Sequence, residues 1–374
     1  MSLLTKEYIE KNVPKLGFGL MRLPLVEGSK EIDLEQVKKM ADHYMESGMN
    51  YFDTAWMYHD GASEVAFREA VVKRYPRESF TVADKMHASF LDTPEDVERM
   101  FQTQLERCGV EYFDYYLLHA LDGEKHAKNE DFGIYDFALK MKAEGKIKSV
   151  GFSFHGTTED LKKILADRPE LEFVQLQLNY YDWEFDYKEQ YEIVRAHDKP
   201  IIIMEPVRGG FLAKMPVDIE NDFKAADPSK SVASWAVRWV ASLDGVMTVL
   251  SGMSSLEQMV DNVSYMKDFS PMTEAEVAVV TKAAKALIEA PTIPCTDCKY
   301  CIDCPVEIPI FDIFKVYNDF VNDKQVSPFK KAYAAFDESC NADACIACGY
   351  CESVCPQNIP IIDRLADIHA LATN

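Results

Sequence analysis

The chain has 374 residues, 48% hydrophobic and 11% aromatic, enough to bury a large core and more than one domain, which excludes a disordered chain. Its 62 acidic against 40 basic side chains leave a formal charge of −22, spread along the chain, which repels phosphate backbones and excludes a nucleic-acid partner. No apolar run reaches the roughly 20 residues a membrane-spanning helix needs, and Met1 to Lys11 has no secretory apolar region, so no membrane partner is expected and the expected location is the cytoplasm.

Short apolar runs recur along the first 290 residues, at Leu16–Leu20, Met49–Asp53, Phe80–Lys85, Tyr115–His119, Ser149–Phe154, Phe173–Leu178, Pro200–Met204 and Val246–Ser251. Each reads as a buried strand. Amphipathic stretches lie between them. Asp33 to Ser47 carries Val37, Met40, Ala41 and Tyr44 in helical register, with Gly48 as its stop. Thr93 to Cys108 opens with Thr93 as the expected N-cap and Pro94 at the first helical position. Its stripe Val97, Met100, Phe101, Gln104, Leu105, Cys108 makes Cys108 a packing residue. Further helices are expected at Tyr135–Glu144, Thr157–Ala166, Glu189–His197, Ser231–Ala241 and Ser255–Lys267. Eight strand–helix units in about 250 residues fit a (β/α)8 TIM barrel over residues 1–290 better than a doubly wound open sheet. No Gly-rich Rossmann loop is present.

A barrel places chemistry at the C-terminal ends of its strands. Asp53, Lys85 and His119 stand there. In Phe173 to Asn179, Gln175, Gln177 and Asn179 alternate with Val174, Leu176 and Leu178, so one face looks into the barrel mouth.

Nine of the ten cysteines follow residue 294. Such crowding in a cytoplasmic chain argues for metal rather than disulfides. The first run is Cys295, Cys298, Cys301, Cys304-Pro305. The second is Cys345, Cys348, Cys351, Cys355-Pro356, with the C-x2-C-x2-C-x3-C-P spacing of bacterial ferredoxins. The first is one residue shorter before its last cysteine. Two intervening residues let one loop wrap three thiolates around a 4Fe–4S cube, while the fourth cysteine reaches the other cluster. Two clusters are therefore expected, on Cys295, Cys298, Cys301 and Cys355, and on Cys345, Cys348, Cys351 and Cys304. Two tetrahedral zinc ions are the alternative. Cys340 reads as a bystander. Phe311, Phe314 and Tyr317 in helical spacing make residues 291–374 a small, mostly α-helical dicluster ferredoxin-like domain.

Asn50-Tyr-Phe-Asp53-Thr-Ala-Trp-Met-Tyr58, Asp84-Lys85, Asp114-Tyr-Tyr-Leu-Leu-His119, Gly151-Phe-Ser153 and the stretch Leu250 to Asn262 together resemble the aldo/keto reductase family. With the cysteine tail, the chain resembles that family's ferredoxin-tailed branch. The resemblance implies a catalytic set of Asp53, Tyr58, Lys85 and His119. Tyr58 would donate a proton to a carbonyl oxygen, with Lys85 lowering its pKa, Asp53 holding Lys85, and His119 orienting the carbonyl. It also implies that Ser153 and Gln175 hold a nicotinamide carboxamide, that Met204 replaces a stacking aromatic ring, and that Arg208-Gly209-Gly210 lies near the pyrophosphate. Phe154 stands where the family usually has asparagine. Ser251, Gly252, Ser254, Gln258 and Asn262 match the adenosine-phosphate segment, with a helix N-terminus at Ser255. Gly252 and Gln258 replace the cations that often grip a 2′-phosphate, so the coenzyme is NADP(H) or NAD(H).

The expected activity is nicotinamide-dependent reduction of a small-molecule carbonyl, or the reverse alcohol oxidation. The clusters would carry electrons or brace the fold. Two alternatives stand beside it. One is a cluster-based electron-transfer enzyme coupled to a flavin or a redox protein partner, without nicotinamide turnover. The other is a zinc-braced, non-catalytic barrel. Loops Ala120–Ile134 and Gly209–Pro228 are the expected sources of selectivity. Trp56 either walls the pocket or packs.

Overall fold

The computed structural model describes residues 4–355 and 357–373. Pro356 of the second cysteine motif, the first three residues and Asn374 lie outside the described residues. The chain divides into two compact units, one of residues up to Pro206 with Val237–Met272, the other of Val207–Ala236 with Thr273 onward. The expected boundary at residue 290 falls within the second unit.

The first unit is a closed parallel barrel of eight strands in chain order. They are β1 Leu16–Gly19, β2 Tyr51–Asp53, β3 Thr81–Met86, β4 Phe113–Leu121, β5 Ile147–Phe154, β6 Val174–Gln177, β7 Ile201–Met204 and β8 Val246–Ser251. β8 pairs back onto β1, with Leu16 beside Val249. The strands read as continuous apolar runs because helices cover their outer face and side chains fill the interior. Ile9 in the helix Lys6–Asn12 and its C-cap Val13 pack against a core cluster that includes Tyr51, Tyr115 and Phe173. All three lie near the starts of their strands, so this helix closes the N-terminal end.

Several crossovers differ from expectation. The helix expected from Thr93 begins later, at Asp96–Cys108, and Thr93 is not its cap. Instead the Asp96 carboxylate reaches back to accept from the Asp92 and Thr93 amides, at 2.9 and 3.0 Å. Between β2 and β3 runs Ala62–Phe67, continuing as a wider turn through Val72. No apolar stripe announces it, because its buried face includes Ser63 and Glu64. The polar stretch Ala120–Ile134 is not a bare loop. It contains the helix Gly123–Asp131, capped by Asp122, whose buried side chains are His126 and Asn129. Gly209–Pro228 likewise contains the helix Val217–Ala226, with Phe223 stacked on Trp235 at 5.0 Å.

In the second unit, Thr273 and Glu276 form a capping box for the helix Glu274–Glu289. The cysteine region is helical, with Ile310–Asp323, Val326–Tyr333 and Ile361–Thr373. Its core joins Ile310, Ile313, Phe314, Phe329, Leu365 and Ile368. Phe311, expected on the buried face, is only half-buried because the apolar stripe runs one residue earlier, from Ile310. No helix among the described residues is long and apolar enough to cross a membrane.

Candidate active site

Asp53 ends β2, Lys85 lies one residue from the end of β3, and His119 stands near the end of β4. These strands are neighbours in parallel register, Asp53 beside Ala83 and Lys85 beside Leu117. Tyr58 follows β2 in a tight turn. His59 and Asp60 there adopt left-handed φ of 50° and 54°, and Gly61 follows at 84°. Such backbone is strained for residues with a Cβ and persists where neighbours over-determine it. His59 is held through its Nε2, which accepts from the Leu23 amide at 3.2 Å. At Gly61 a Cβ would come within 2.7 Å of the Arg107 guanidinium.

The four expected catalytic residues come together. The fully buried Lys85 ammonium donates to Asp53 Oδ1 at 2.5 Å, to the Thr54 carbonyl at 2.7 Å and to the Tyr58 hydroxyl at 3.4 Å. An ammonium has three donors, and this arrangement uses all of them. The Tyr58 and His119 rings meet edge-on at 6.0 Å, and His87 meets His119 at 5.1 Å.

Burial lifts the Asp53 carboxyl above its ordinary range, opposed by Lys85. Burial pushes His119 well below 6.5, helped by the Lys85 charge, and pushes His87 down to about 4. Both imidazoles are neutral near pH 7. Tyr58 runs opposite to expectation. Burial pushes its phenol well above 10, and Asp53, Glu205 and Asp84 push the same way against Arg22. Asp53 sits on the far side of the same cation, so its charge offsets what Lys85 was expected to do. Tyr58 therefore stands as a protonated phenol.

A second polar layer lies behind Lys85. Gln104 donates to Asp84 Oδ1 at 2.9 Å and to the Lys85 carbonyl at 3.0 Å, and accepts from the Tyr116 hydroxyl at 2.5 Å. Cys108, buried as expected, directs its thiol to Asp84 Oδ2 at 3.6 Å. Glu64 pairs with Arg107 at 3.0 Å, and that guanidinium lies 4.1 Å over the Trp56 ring. Burial and the Glu64 charge raise the Asp84 carboxyl far above its ordinary range, and burial raises Glu64 too, against the pull of Arg107.

The nicotinamide positions divide. Ser153 Oγ accepts from the Ala120 amide at 2.7 Å. Gln175 donates to Met204 Sδ at 3.4 Å, while its buried Oε1 has no partner among the described residues. That orphan acceptor fits the amide N–H of a nicotinamide. Gln177 and Asn179 both donate to Asp182, so the alternating set reduces to Gln175. Phe154 is buried edge-on against Phe152, while His155 is exposed.

In the adenosine segment, Ser251 is buried at the end of β8. Ser254 donates to the Arg22 carbonyl at 2.8 Å. Ser255 caps the helix Leu256–Met266, and Gln258 turns its carbonyl back to the Ser254 amide at 2.8 Å. Asn262 donates to the Gln258 carbonyl, and its buried Oδ1 has no partner among the described residues. The sequence shows no cation near Gly252, yet one is there. The Arg22 stem lies 3.3 Å from where a Gly252 Cβ would stand, and its guanidinium reaches Glu205 at 3.5 Å. Arg22 and Glu205 are site residues that sequence reasoning missed. No local pattern links positions so far apart in the chain.

The resemblance implies that Arg208 lies near a pyrophosphate. Its guanidinium donates to the Pro294 carbonyl and to Gln357 Oε1, both in the cysteine region of its own unit.

That region contains two four-cysteine cavities. One is lined by Cys295, Cys298, Cys301 and Cys355. The other is lined by Cys304, Cys345, Cys348 and Cys351. No disulfide joins any of the ten cysteines among the described residues, and Cys340 lines neither cavity. The two loops share a backbone device. Asp297 and Lys299 flank Cys298 with φ of 50° and 66°, and Ala347 and Gly349 flank Cys348 with 54° and 79°. Left-handed residues on both sides of the middle cysteine curl each loop around a common centre. Burial pushes Cys295 up to about 11, Cys301 to about 12 and Cys351 to about 11, with neighbouring thiolates adding to each. Four crowded thiols of this kind suit a cationic iron–sulfur core, which would hold them ionised.

A family model described as the aldo/keto reductase family matches residues 15–285, and one described as a 4Fe-4S dicluster domain matches residues 294–359. The chain is similar to an aldo-keto reductase of Schizosaccharomyces pombe whose name carries NADP(+), 25% identical over 243 residues, 61% of this chain and 69% of that protein. It is also similar to the NADH-specific methylglyoxal reductase of Escherichia coli, 22% identical over 285 residues, 64% of this chain and 85% of that one. A Klebsiella pneumoniae aldo-keto reductase in complex with NADPH shares the fold with a TM-score of 0.58 at 23% identity, over 72% of this chain and 90% of that one. A Bacillus halodurans aldo-keto reductase does so with a TM-score of 0.58 at 24% identity, over 73% and 93%.

Proposed function

The chain belongs to the aldo/keto reductase family, and from that premise we propose that it reduces a small carbonyl compound, or oxidises the alcohol, with a nicotinamide coenzyme and two 4Fe–4S clusters, each in one four-cysteine cavity. The observation that carries this reading is the saturated Lys85 ammonium, which ties Asp53, Thr54 and Tyr58 into one fixed cage.

When bound, the nicotinamide supplies hydride to the carbonyl carbon, and the clusters exchange single electrons. The chain's own residues handle charge and protons. Tyr58, held as a phenol, donates its proton to the carbonyl oxygen as negative charge develops there. Lys85, 3.4 Å away, stabilises the tyrosinate left behind. Asp53 and the Thr54 carbonyl keep the ammonium from turning away. Neutral His119 orients the carbonyl without competing as an acid. The Gln175 orphan oxygen supports a carboxamide ligand, and so favours nicotinamide over the cluster-only alternative. The named coenzymes of the relatives include both NADP(+) and NADH, so the proposal covers both.

The test is Tyr58→Phe in anaerobically prepared, iron-replete protein. Carbonyl turnover should fall by about 10²–10⁴ with coenzyme affinity retained, the range for loss of a general acid. Turnover near wild type would remove Tyr58 from the role.

A further inference from the structure

We propose that Arg208 is a positioning residue for the cluster held by Cys295, Cys298, Cys301 and Cys355, tying both ends of its cysteine frame together and raising its reduction potential, and is not a nucleotide ligand. The inference rests on the dicluster reading above.

Arg208 is 4% exposed and has a left-handed φ of 49°. Its two terminal nitrogens go to the Pro294 carbonyl and to Gln357 Oε1. Pro294 directly precedes Cys295, and Gln357 lies two residues after Cys355 and lines the same cavity. One guanidinium thus joins two chain segments that must meet for the four thiols to converge. The next residue tightens the contact. At Gly209, with φ of 64°, a Cβ would lie 2.0 Å from the Thr296 carbonyl oxygen, so backbone is pressed on the turn between Cys295 and Cys298.

A planar, permanently charged fork suits this task. Adding an electron makes a thiolate-bound cluster more negative, and a buried cation close by favours that form. Lys299 also lines this cavity, whereas no charged side chain lines the Cys304–Cys345–Cys348–Cys351 cavity among the described residues. The Cys295 cavity therefore holds the higher-potential cluster.

The test is a potentiometric electron-spin-resonance titration of the full, iron-replete chain beside R208Q, R208K and G209A. Cys348→Ser marks the signal of the other cavity. In R208Q the equilibrium for reducing the Cys295-cavity cluster should weaken about tenfold, ~59 mV for a one-electron couple. The other midpoint and the KM for coenzyme should stay unchanged. R208K should fall between, and G209A should move the same midpoint with Arg208 intact. Loss of about four irons from R208Q alone, with R208K replete, equally supports the positioning role. Unmoved midpoints in R208Q and G209A, or a tenfold rise in coenzyme KM with fixed midpoints, overturns the proposal. Wild-type protein lacking two such signals overturns the dicluster reading itself, a separate outcome.

Discussion

Lys85 touches Tyr58 twice. Its ammonium is 3.4 Å from the hydroxyl and 4.8 Å from the ring centroid. The lysine therefore both supports the acid's oxygen and pins the ring, while Asp53 neutralises it from the other side.

Replacing Lys85 separates stability from catalysis. Lys85→Met leaves the buried Asp53 carboxyl without its cation, which costs about 3–5 kcal/mol for a broken buried pair. The double variant Lys85→Met/Asp53→Asn should recover most of that loss in denaturant unfolding. It should recover none of the turnover. Restored activity in the double variant would show that the cation does not serve Tyr58.

The pH profile follows from the same site. His119 and His87 are shifted down and stay neutral at pH 6 and above, and Tyr58 is shifted up from 10 and stays protonated to at least that pH. Carbonyl reduction at saturating substrate should be flat from pH 6 to 9. Alcohol oxidation needs the tyrosinate and should rise with pH across the same range. A reduction profile breaking near pH 6.5 would point to an ordinary histidine and contradict this account.

Asp84 links the second polar layer to stability. Its folded pKa is raised from 3.8, so its proton is held more tightly in the folded chain than in the unfolded one. The contribution is complete below pH 3.8 and is lost as pH rises through the raised folded value. Asp84→Asn keeps an acceptor for Gln104 and presents a permanent donor toward Glu64. Unfolding free energy should then decline less steeply with pH, by up to about 1.4 kcal/mol per unit within that window. Urea melts at pH 5 and 8 read the difference. Parallel slopes for the two proteins would mean Asp84 holds no such proton.

The cysteines separate by cavity. Cys355→Ser should lower the iron content by about one cluster's worth and leave the Cys345-cavity signal in place. Cys340→Ser, lining neither cavity, should keep all the iron. Iron and acid-labile sulfide assays decide. Equal losses in both variants would make Cys340 a ligand and upset the assignment.

What could be read in advance was local. Each strand is buried on both faces, so its residues form an unbroken apolar run whatever their partners are, and eight such runs specify the barrel. The thiol spacing is equally local, because the curl of a C-x2-C-x2-C loop depends on a few backbone angles. Helices whose buried faces are polar escaped. Glu64 on Ala62–Phe67 pairs with Arg107, and on Gly123–Asp131 buried His126 pairs with the Tyr135 hydroxyl and Asn129 donates to the Lys125 carbonyl; hydrophobic periodicity carries no sign of such contacts.

Site chemistry depended on partners far away in the chain. Arg22 standing beside Gly252, and Arg208 drawn to Pro294 and Gln357, are consequences of tertiary contact. So is the direction of the Tyr58 shift, which sums desolvation and four charges from different segments. The sequence alone determined the barrel, the thiol sets and the residue types at the strand ends, because burial period and ligand spacing are properties of short stretches. The tertiary structure alone decided which cation meets which acceptor and which groups hold protons, because those energies depend on through-space distance and loss of water.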